Sequence, residues 1–327
     1  MMSNLNRDGL ALSEGYAETM EREILPAIEA RRTDMTLEGD GGMKLFVSRF
    51  DAQRPRGTVM IVHGFTENAD KFSEVIHSLL QNGFSVVAYD QRGHGRSGRA
   101  PGLDGPSLTH VDRFDEYVRD MDIVYCRVTA GLPKPHSVFC HSMGGAVTAL
   151  YLERYPGAFR RAAMCAPMIA PNLSGMPRPV ALALCGAERM LKRDKKRIFT
   201  SRPYRERERF ETACANGRAR FDWYEDLRFR IPEYQNNGPS YGWLREAIRV
   251  TDAILAPGAA ERIDARVRLF TAALDDVVLP GPQKAFIDRV RLGEHRVVQG
   301  AKHEIYRSGD DVLFPWWHEV LEFLEEE

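Results

Sequence analysis

The chain is poor in features that would tie it to disulfides, nucleic acid or the membrane interior. Its five cysteines (Cys126, Cys140, Cys165, Cys185, Cys214) are scattered, with no C-x-x-C pair. That spacing argues against a disulfide framework and suits reduced thiols in the cytoplasm. Charge of one sign is also missing: 45 basic residues meet 46 acidic ones, for a formal net charge of −1. A nucleic-acid partner held by bulk charge does not fit such a balance. No apolar run approaches the ~20 residues that span a bilayer. The N-terminal stretch from Met1 to Asp8 has no apolar segment, so no signal peptide is expected. Neither absence speaks against peripheral contact with a membrane. No histidine or carboxylate pair stands at metal-ligand spacing on one helix face, and His136 and His141 are expected on opposite faces of a strand. No repeat or low-complexity tract is evident.

What is present is enough apolar residue, 43% of 327, for a large core. It suits one big α/β domain carrying an insertion. Residues 1 to 30 read as a polar lead with one helical piece, Tyr16 to Ile24, stopped by Pro26. Asp34–Glu38 and Met43–Phe50 flank Gly39-Asp40-Gly41-Gly42, a hairpin signal. Continuous apolar or β-branched runs at Thr58–Val62, Phe84–Tyr89, His136–Cys140 and Arg161–Pro167 read as buried strands. Helical spacing lies between them at Asp70–Leu80, Asp112–Ala130 and Ala146–Leu152. Alternation stops near Met168 and resumes near Ala265 with Val267–Ala273, a helix at Gly281–Val290, a last strand at Arg296–Val298 and a closing helix at Val312–Phe323. The prediction is a mostly parallel sheet with helices on both faces, made of 1–167 and 265–327. Residues 168–264 form an insertion over the C-terminal edge of the sheet, where open α/β folds place their sites.

The chemistry centres on Val138-Phe139-Cys140-His141-Ser142-Met143-Gly144-Gly145-Ala146. A strand leads in and a helix leads out, so Ser142 occupies a sharp strand-to-helix turn that lifts its hydroxyl toward solvent. The turn also puts the Met143 N–H at a helix start, where a developing oxyanion is stabilised. The bland alternative is a Gly-rich turn that happens to hold a serine. A serine needs a base, and the base an orienting carboxylate. Nine histidines are available. His63 and His94 follow strands but sit in glycine turns that suggest backbone roles, and His77 and His318 fall in helices. His303 lies past the last strand. Asp275 or Asp276, after the preceding strand, could orient it; the turn pattern favours Asp275. Serine, aspartate, histidine is the order in which an α/β-hydrolase sheet builds this triad. The second oxyanion donor comes in that fold from the loop after an earlier strand, which is His63-Gly64-Phe65, so the Phe65 N–H is assigned.

Two other signals carry less. Gly93-His94-Gly95-Arg96-Ser97-Gly98 matches G-x-G-x-x-G, but Arg99-Ala100-Pro101-Gly102 follows instead of a helix, so a dinucleotide site fails its context. Within the insertion, Val180 to Cys185 is apolar, and a cationic stretch follows from Arg189 to Arg209. That run suits an amphipathic, lipid-facing lid; the alternative is a solvated helix face partly neutralised by Glu206, Glu208 and Glu211.

His63-Gly64-Phe65, Asp90-x-Arg92-Gly93-His94-Gly95-x-Ser97, His141-Ser142-Met143-Gly144-Gly145 and Gly300-Ala301-Lys302-His303-Glu304 together resemble the monoglyceride lipase and bacterial lysophospholipase branch of the α/β-hydrolases. Asn237-Gly238-Pro239-Ser240-Tyr241-Gly242-Trp243 is similar to its lysophospholipase side. The resemblance spans roughly residues 30 to 325, the extent of one large domain. It implies a cap over the site and hydrolysis of single-chain acyl esters without cofactor or metal. One departure stands out: Cys140 takes the place where the family usually has glycine, and a slight shift of the following helix is expected to accommodate it. A thiol nucleophile at Cys140 is rejected because that residue lies on the strand and not at the turn. Two alternatives stay open. One is a short-chain carboxylesterase, thioesterase or aminopeptidase of the same fold; the other is an inactive receptor or scaffold. Dehalogenase and epoxide hydrolase chemistry would need aspartate at 142.

Overall fold

Four apolar runs become the middle of a sheet because each is buried along its whole length, the mark of strands covered on both faces. The computed structural model describes residues 4–326; Met1 to Ser3 of the polar lead, and Glu327, lie outside the described residues. The strands are β1 Arg32–Glu38, β2 Lys44–Phe50, β3 Gly57–Val62, β4 Phe84–Asp90, β5 His136–His141, β6 Arg161–Cys165, β7 Arg266–Ala272 and β8 Gly293–Val298. They form one eight-stranded sheet in the order β1-β2-β4-β3-β5-β6-β7-β8. β1 and β2 are the expected hairpin; β2 pairs antiparallel with β4, and every pairing from β4 to β8 is parallel. The loops after β3, β5, β7 and β8 therefore emerge at one edge.

The helices are α1 Tyr16–Thr19, α2 Leu25–Glu29, α3 Ser73–Gln81, α4 Asp115–Arg127, α5 Met143–Arg154, α6 Arg178–Met190, α7 Arg218–Arg230, α8 Tyr241–Ile254, α9 Pro280–Ile287 and α10 Asp310–Glu325. One apolar layer joins Tyr117, Met121, Val147, Phe286 and the inward side chains of β3 and β5. A second, on the opposite face, joins Val75, Leu79, Trp316, Trp317 and Leu321. α3 and α10 thus cover one face, and α4, α5 and α9 the other.

Two local expectations are corrected. The N-terminal helical piece does not stop at Pro26 but runs on as α2, through a π-helical turn at Met20–Ile24. In that turn the Leu25 N–H donates to Met20 O, so the ladder has shifted by one residue before the proline ring arrives, and the wider turn admits it. α4 is shorter than expected and gives way to a 3₁₀ turn at Thr129–Gly131.

Residues 168–264 contribute no strand to the sheet. They are not all alike in packing. Trp243, Ala247, Val250 and Ile254 of α8 join the layer that holds α5. α7 instead packs Trp223 and Tyr224 against Tyr16, Met20 and Ile24 of the N-terminal helical segment. Arg220 of α7, 2% exposed, fixes that junction through Glu74 at 2.9 Å, Asp310 at 2.8 Å and Ala11 O at 2.6 Å.

Candidate active site

Ser142 takes φ 50° and ψ −119°, left-handed values that a residue with a side chain rarely adopts. Three backbone bonds hold it there. Its N–H donates to Cys165 O at 3.1 Å, and its carbonyl accepts from Gly145 and Met168, each at 2.8 Å. The turn is this sharp because α5 starts hard against the sheet. A Cβ on Gly144 would lie 2.1 Å from Val62 O, and one on Gly145 would lie 2.3 Å from Pro167 Cβ. The close approach thus falls after the serine. Cys140, two residues before it, is buried between Val62 and Met164 on the neighbouring strands and sits in the apolar layer facing α5. Burial pushes its thiol up to about 12, so it is an inert core atom.

Two loops, after β7 and β8, bring the remaining side chains to the serine. His303 Nε2 lies 2.8 Å from Ser142 Oγ, and His303 Nδ1 lies 2.7 Å from Asp275 Oδ2. The other oxygen, Oδ1, accepts from the Val277 and Val278 amides at 2.9 and 3.1 Å. Burial alone would raise the Asp275 carboxyl, but the His303 hydrogen bond and the two amides hold it below its ordinary value. Asp276, the neighbouring candidate, is exposed. With Asp275 accepting at Nδ1, His303 turns Nε2 toward the Ser142 hydroxyl.

The loop after β3 passes beside the serine: a Cβ on Gly64 would come within 3.0 Å of Ser142 Cβ. Phe65 follows in that loop, its ring 3.9 Å from the Trp243 ring of α8 and 5.7 Å from His94. Met143 is the first residue of α5, so its amide has no acceptor within the helix. The arrangement brings a serine hydroxyl, an imidazole and a carboxylate together at one sheet edge, with Phe65 in the loop after β3 and Met143 at the start of α5 beside them.

Behind the triad lies a charged layer that sequence reasoning missed. Glu67 accepts from the Gly64 amide, from His141 Nδ1 at 3.0 Å and from Lys71 Nζ at 3.1 Å. Lys71 also pairs with Glu304 at 2.6 Å, and Glu304 with Arg307. Burial opposes charge on Glu304, yet Lys71 and Arg307 bring it down to about 2. His141 Nε2 meets the His303 carbonyl at 3.2 Å. Glu67 holds His141 above the ordinary histidine value despite its burial. The one clue in the sequence was adjacency: His141 and Glu304 each neighbour a triad residue.

The other histidines serve the scaffold. His63 donates from Nδ1 to Gly64 O and accepts from the Gln91 amide at Nε2. His94 donates to Arg92 O, and burial keeps it well below its ordinary value. His77 donates to Gly9 O, and His318 reaches Asp8. Gly93 and Gly95, at φ 79° and 48°, turn a loop: a Cβ on Gly95 would sit 2.2 Å from Asp90 Oδ2. Among the described residues, His110, Asp112 and Asp194 are close enough to share an ion, with ligand atoms within 4.8 Å. His110 already uses Nδ1 on Ser240 and Nε2 on Asp112.

The cationic stretch of the insertion is not a helix. α6 ends at Met190, and 191–209 runs irregularly to a short 3₁₀ turn at Phe210–Thr212. α6 and the chain after it expose Val180, Met190, Leu191 and Phe199. Among the described residues no helix is long and apolar enough to cross a membrane.

A family model described as Hydrolase_4, serine aminopeptidase S33, matches residues 53–310. Lysophospholipase L2 of Escherichia coli K12 is 32% identical over 288 residues, 84% of this chain and 82% of that protein. A monoacylglycerol lipase of Mycolicibacterium smegmatis is 29% identical over 158 residues, 48% of this chain and 54% of that protein. Among solved structures, a soluble variant of the Saccharomyces cerevisiae monoglyceride lipase superposes with a TM-score of 0.67 at 18% identity, covering 90% of this chain and 96% of the other.

Proposed function

The chain belongs to the serine aminopeptidase S33 family of α/β-hydrolases, and from that premise we propose that it hydrolyses the acyl ester of single-chain lipids, a lysophospholipid or a monoacylglycerol, through an acyl-enzyme on Ser142. It is a carboxylic-ester hydrolase of this fold. Ser142 Oγ attacks the ester carbonyl while His303 Nε2 takes the hydroxyl proton. Asp275 holds the imidazolium that forms. The Phe65 and Met143 amides receive the oxyanion. His303 then returns the proton to the departing alkoxide, so the glycerol-bearing alcohol leaves and the acyl-serine remains. Water enters, His303 takes its proton, and hydroxide adds to the acyl carbon. Collapse releases the fatty acid and restores the serine. None of these steps calls on a cofactor.

One observation carries the reading: an unbroken hydrogen-bond relay, Ser142 to His303 to Asp275, across side chains up to 161 residues apart in sequence. An aminopeptidase reading is less well supported. An α-ammonium needs a free carboxylate at the site, and Asp275, Glu67 and Glu304, which lie about the relay, already have partners. The cap role of 168–264 and contact with the inner membrane face belong to the same reading. They are supported by the exposed apolar residues of α6 and by five unpaired thiols of a reducing, cytoplasmic setting.

Labelling with a fluorophosphonate probe tests the mechanism. Ser142 is expected to be the modified residue, and Ser142→Ala to lose both labelling and turnover of monoacylglycerol and lysophospholipid. Retained p-nitrophenyl ester hydrolysis in that variant would refute the assignment. A chain-length series that favours short soluble esters would move the substrate away from lipids.

A further inference from the structure

The loop that carries Phe65 is anchored by side chains. Gly64 has no Cβ, so its φ and ψ are loose unless the peptides on either side of it are held. Both are held. The Gly64 N–H donates to Glu67 Oε2, and the Gly64 carbonyl accepts from His63 Nδ1 at 2.7 Å. His63 accepts from the Gln91 amide at Nε2, which leaves its proton on Nδ1. The Gly64 carbonyl and the Phe65 N–H belong to one planar peptide and point opposite ways, so fixing the first aims the second. Glu67 is 2% exposed, and its carboxylate faces four donors. Oε2 takes the Gly64 amide and His141 Nδ1, the latter at 3.0 Å; Oε1 takes Lys71 Nζ at 3.1 Å and the Tyr306 hydroxyl. His141 continues to the His303 carbonyl at 3.2 Å, and Tyr306 belongs to the same segment as His303. One carboxylate thus joins the loop of Phe65, the residue before Ser142 and the segment of His303. They meet closely: a Cβ on Gly64 would fall 2.8 Å from Glu67 Oε2, 2.9 Å from His141 Nδ1 and 3.0 Å from Ser142 Cβ.

We infer that Glu67 is a positioning residue for the ester-cleaving reaction, one that sets the Phe65 amide and the His303 imidazole against Ser142 together. The inference rests on the reading proposed above and deepens it. An oxyanion donor contributes when it already points to where charge appears, before the reaction begins. The Phe65 peptide lies outside any strand or helix, so its aim comes from the two anchors on Gly64. A base needs the same care, because a misplacement of about 1 Å costs on the order of 10²-fold in rate. Of the two anchors, Glu67 is the one that also reaches the His303 segment, through His141 and through Tyr306. Lys71 and Tyr306 occupy its second oxygen, so the carboxylate cannot swing away from the first pair. Its burial keeps it from the substrate, and its effect passes through the groups it holds.

The test uses the full chain and p-nitrophenyl octanoate, an ester that reports on the relay whatever the natural head group. Rates are expressed per Ser142 titrated to completion with a fluorophosphonate, so that unfolded chains do not count. Glu67→Met removes both acceptors at similar volume. It is expected to lower kcat about 10²-fold while KM stays within about twofold. Glu67→Gln still offers one oxygen to the Gly64 amide but brings no charge to His141; it is expected to recover part of the loss, to about tenfold below wild type. A long-chain alkyl trifluoromethyl ketone forms an oxyanion on Ser142 without turnover, and its affinity is expected to fall with kcat across the series by about the same factor. Wild-type kcat per titrated serine in both variants would overturn the inference, since Glu67 would then only hold the fold together. So would a loss confined to KM, or ketone affinity indifferent to the variants. Should Glu67→Met not fold, Glu67→Gln decides together with Tyr306→Phe, which removes one of the four bonds and is expected to lower kcat about threefold at unchanged KM; wild-type rates in both would overturn the inference. A wild-type chain that neither labels at Ser142 nor cleaves the ester would fail the ester reading itself, and this inference with it.

Discussion

His141 donates from Nε2 to the main-chain carbonyl of His303 and from Nδ1 to Glu67, at 3.2 and 3.0 Å. Both acceptors are oxygens, so both ring nitrogens must carry protons, and the ring is an imidazolium buried against a carboxylate. The residue before Ser142 thus grips the segment that carries His303.

Replacing that cation with a neutral amide, His141→Gln, is expected to lower kcat about 10- to 100-fold through misplacement of His303 while changing KM little. It should also cost about 3 kcal/mol of stability at pH 6, because Glu67 loses a buried partner. The pH dependence follows from the raised folded-state value of His141. Folding binds a proton here, so the contribution is whole below the ordinary histidine value of about 6.5 and drains away as pH climbs through the folded one. The gap in unfolding free energy between wild type and variant should therefore narrow from pH 6 to pH 9. A gap that widens over that range would contradict a charged His141.

Asp275 and Asp276 can be told apart. Asp275→Asn keeps the shape but favours the wrong tautomer of His303, and kcat should fall by about 10³- to 10⁴-fold. Asp276→Asn alters an exposed side chain and should leave kcat within about twofold. Steady-state rates on one ester decide between them, and equal losses would contradict the geometry.

Gly144→Ala puts a methyl group 2.1 Å from Val62 O and 2.6 Å from His63 O. Both are backbone atoms of the central sheet and cannot rotate away. A loss of about 3 kcal/mol or more in denaturant unfolding is expected, with weaker probe labelling at Ser142 as the turn shifts. An unchanged midpoint would mean that α5 packs less closely than it does here.

Arg220→Met removes a buried guanidinium from Glu74 and Asp310. Glu74 would be left without its cation, and destabilisation of about 3–5 kcal/mol is expected. Glu74→Gln/Arg220→Met should recover part of it, because the double change removes the orphaned charge. Thermal unfolding of the single and double variants measures that coupling.

The parts of this molecule written in local pattern could be read in advance. Apolar runs gave β3 to β6, the glycines at 39–42 gave the hairpin, and the residues around Ser142 gave the sharp strand-to-helix turn. His303 and Asp275 were legible because each follows a strand that ends at the same edge. The charged layer was not, because Glu67, Lys71 and Glu304 look like solvated residues until the fold buries them together. The run past Pro26 was hidden for a related reason: the widened turn that admits the ring leaves no trace in residue type. The insertion was the least readable. Its cationic stretch suggested a lipid-facing lid or a solvated helix face; the chain there runs irregularly past α6, and its arginines line a cavity with α7 and the 304–307 turn.

Phe65 has two attachments, and they have a mechanical consequence. Its amide belongs to the loop beside Ser142, while its ring lies against Trp243, which is in turn tied to Tyr117 through the indole N–H. Any displacement of the start of α8 pulls on the peptide proposed to receive the negative charge of the reaction. Admission of substrate and readiness to react would then share one joint, so an enzyme caught with its gate ajar would also be one whose charge-receiving pocket is out of true.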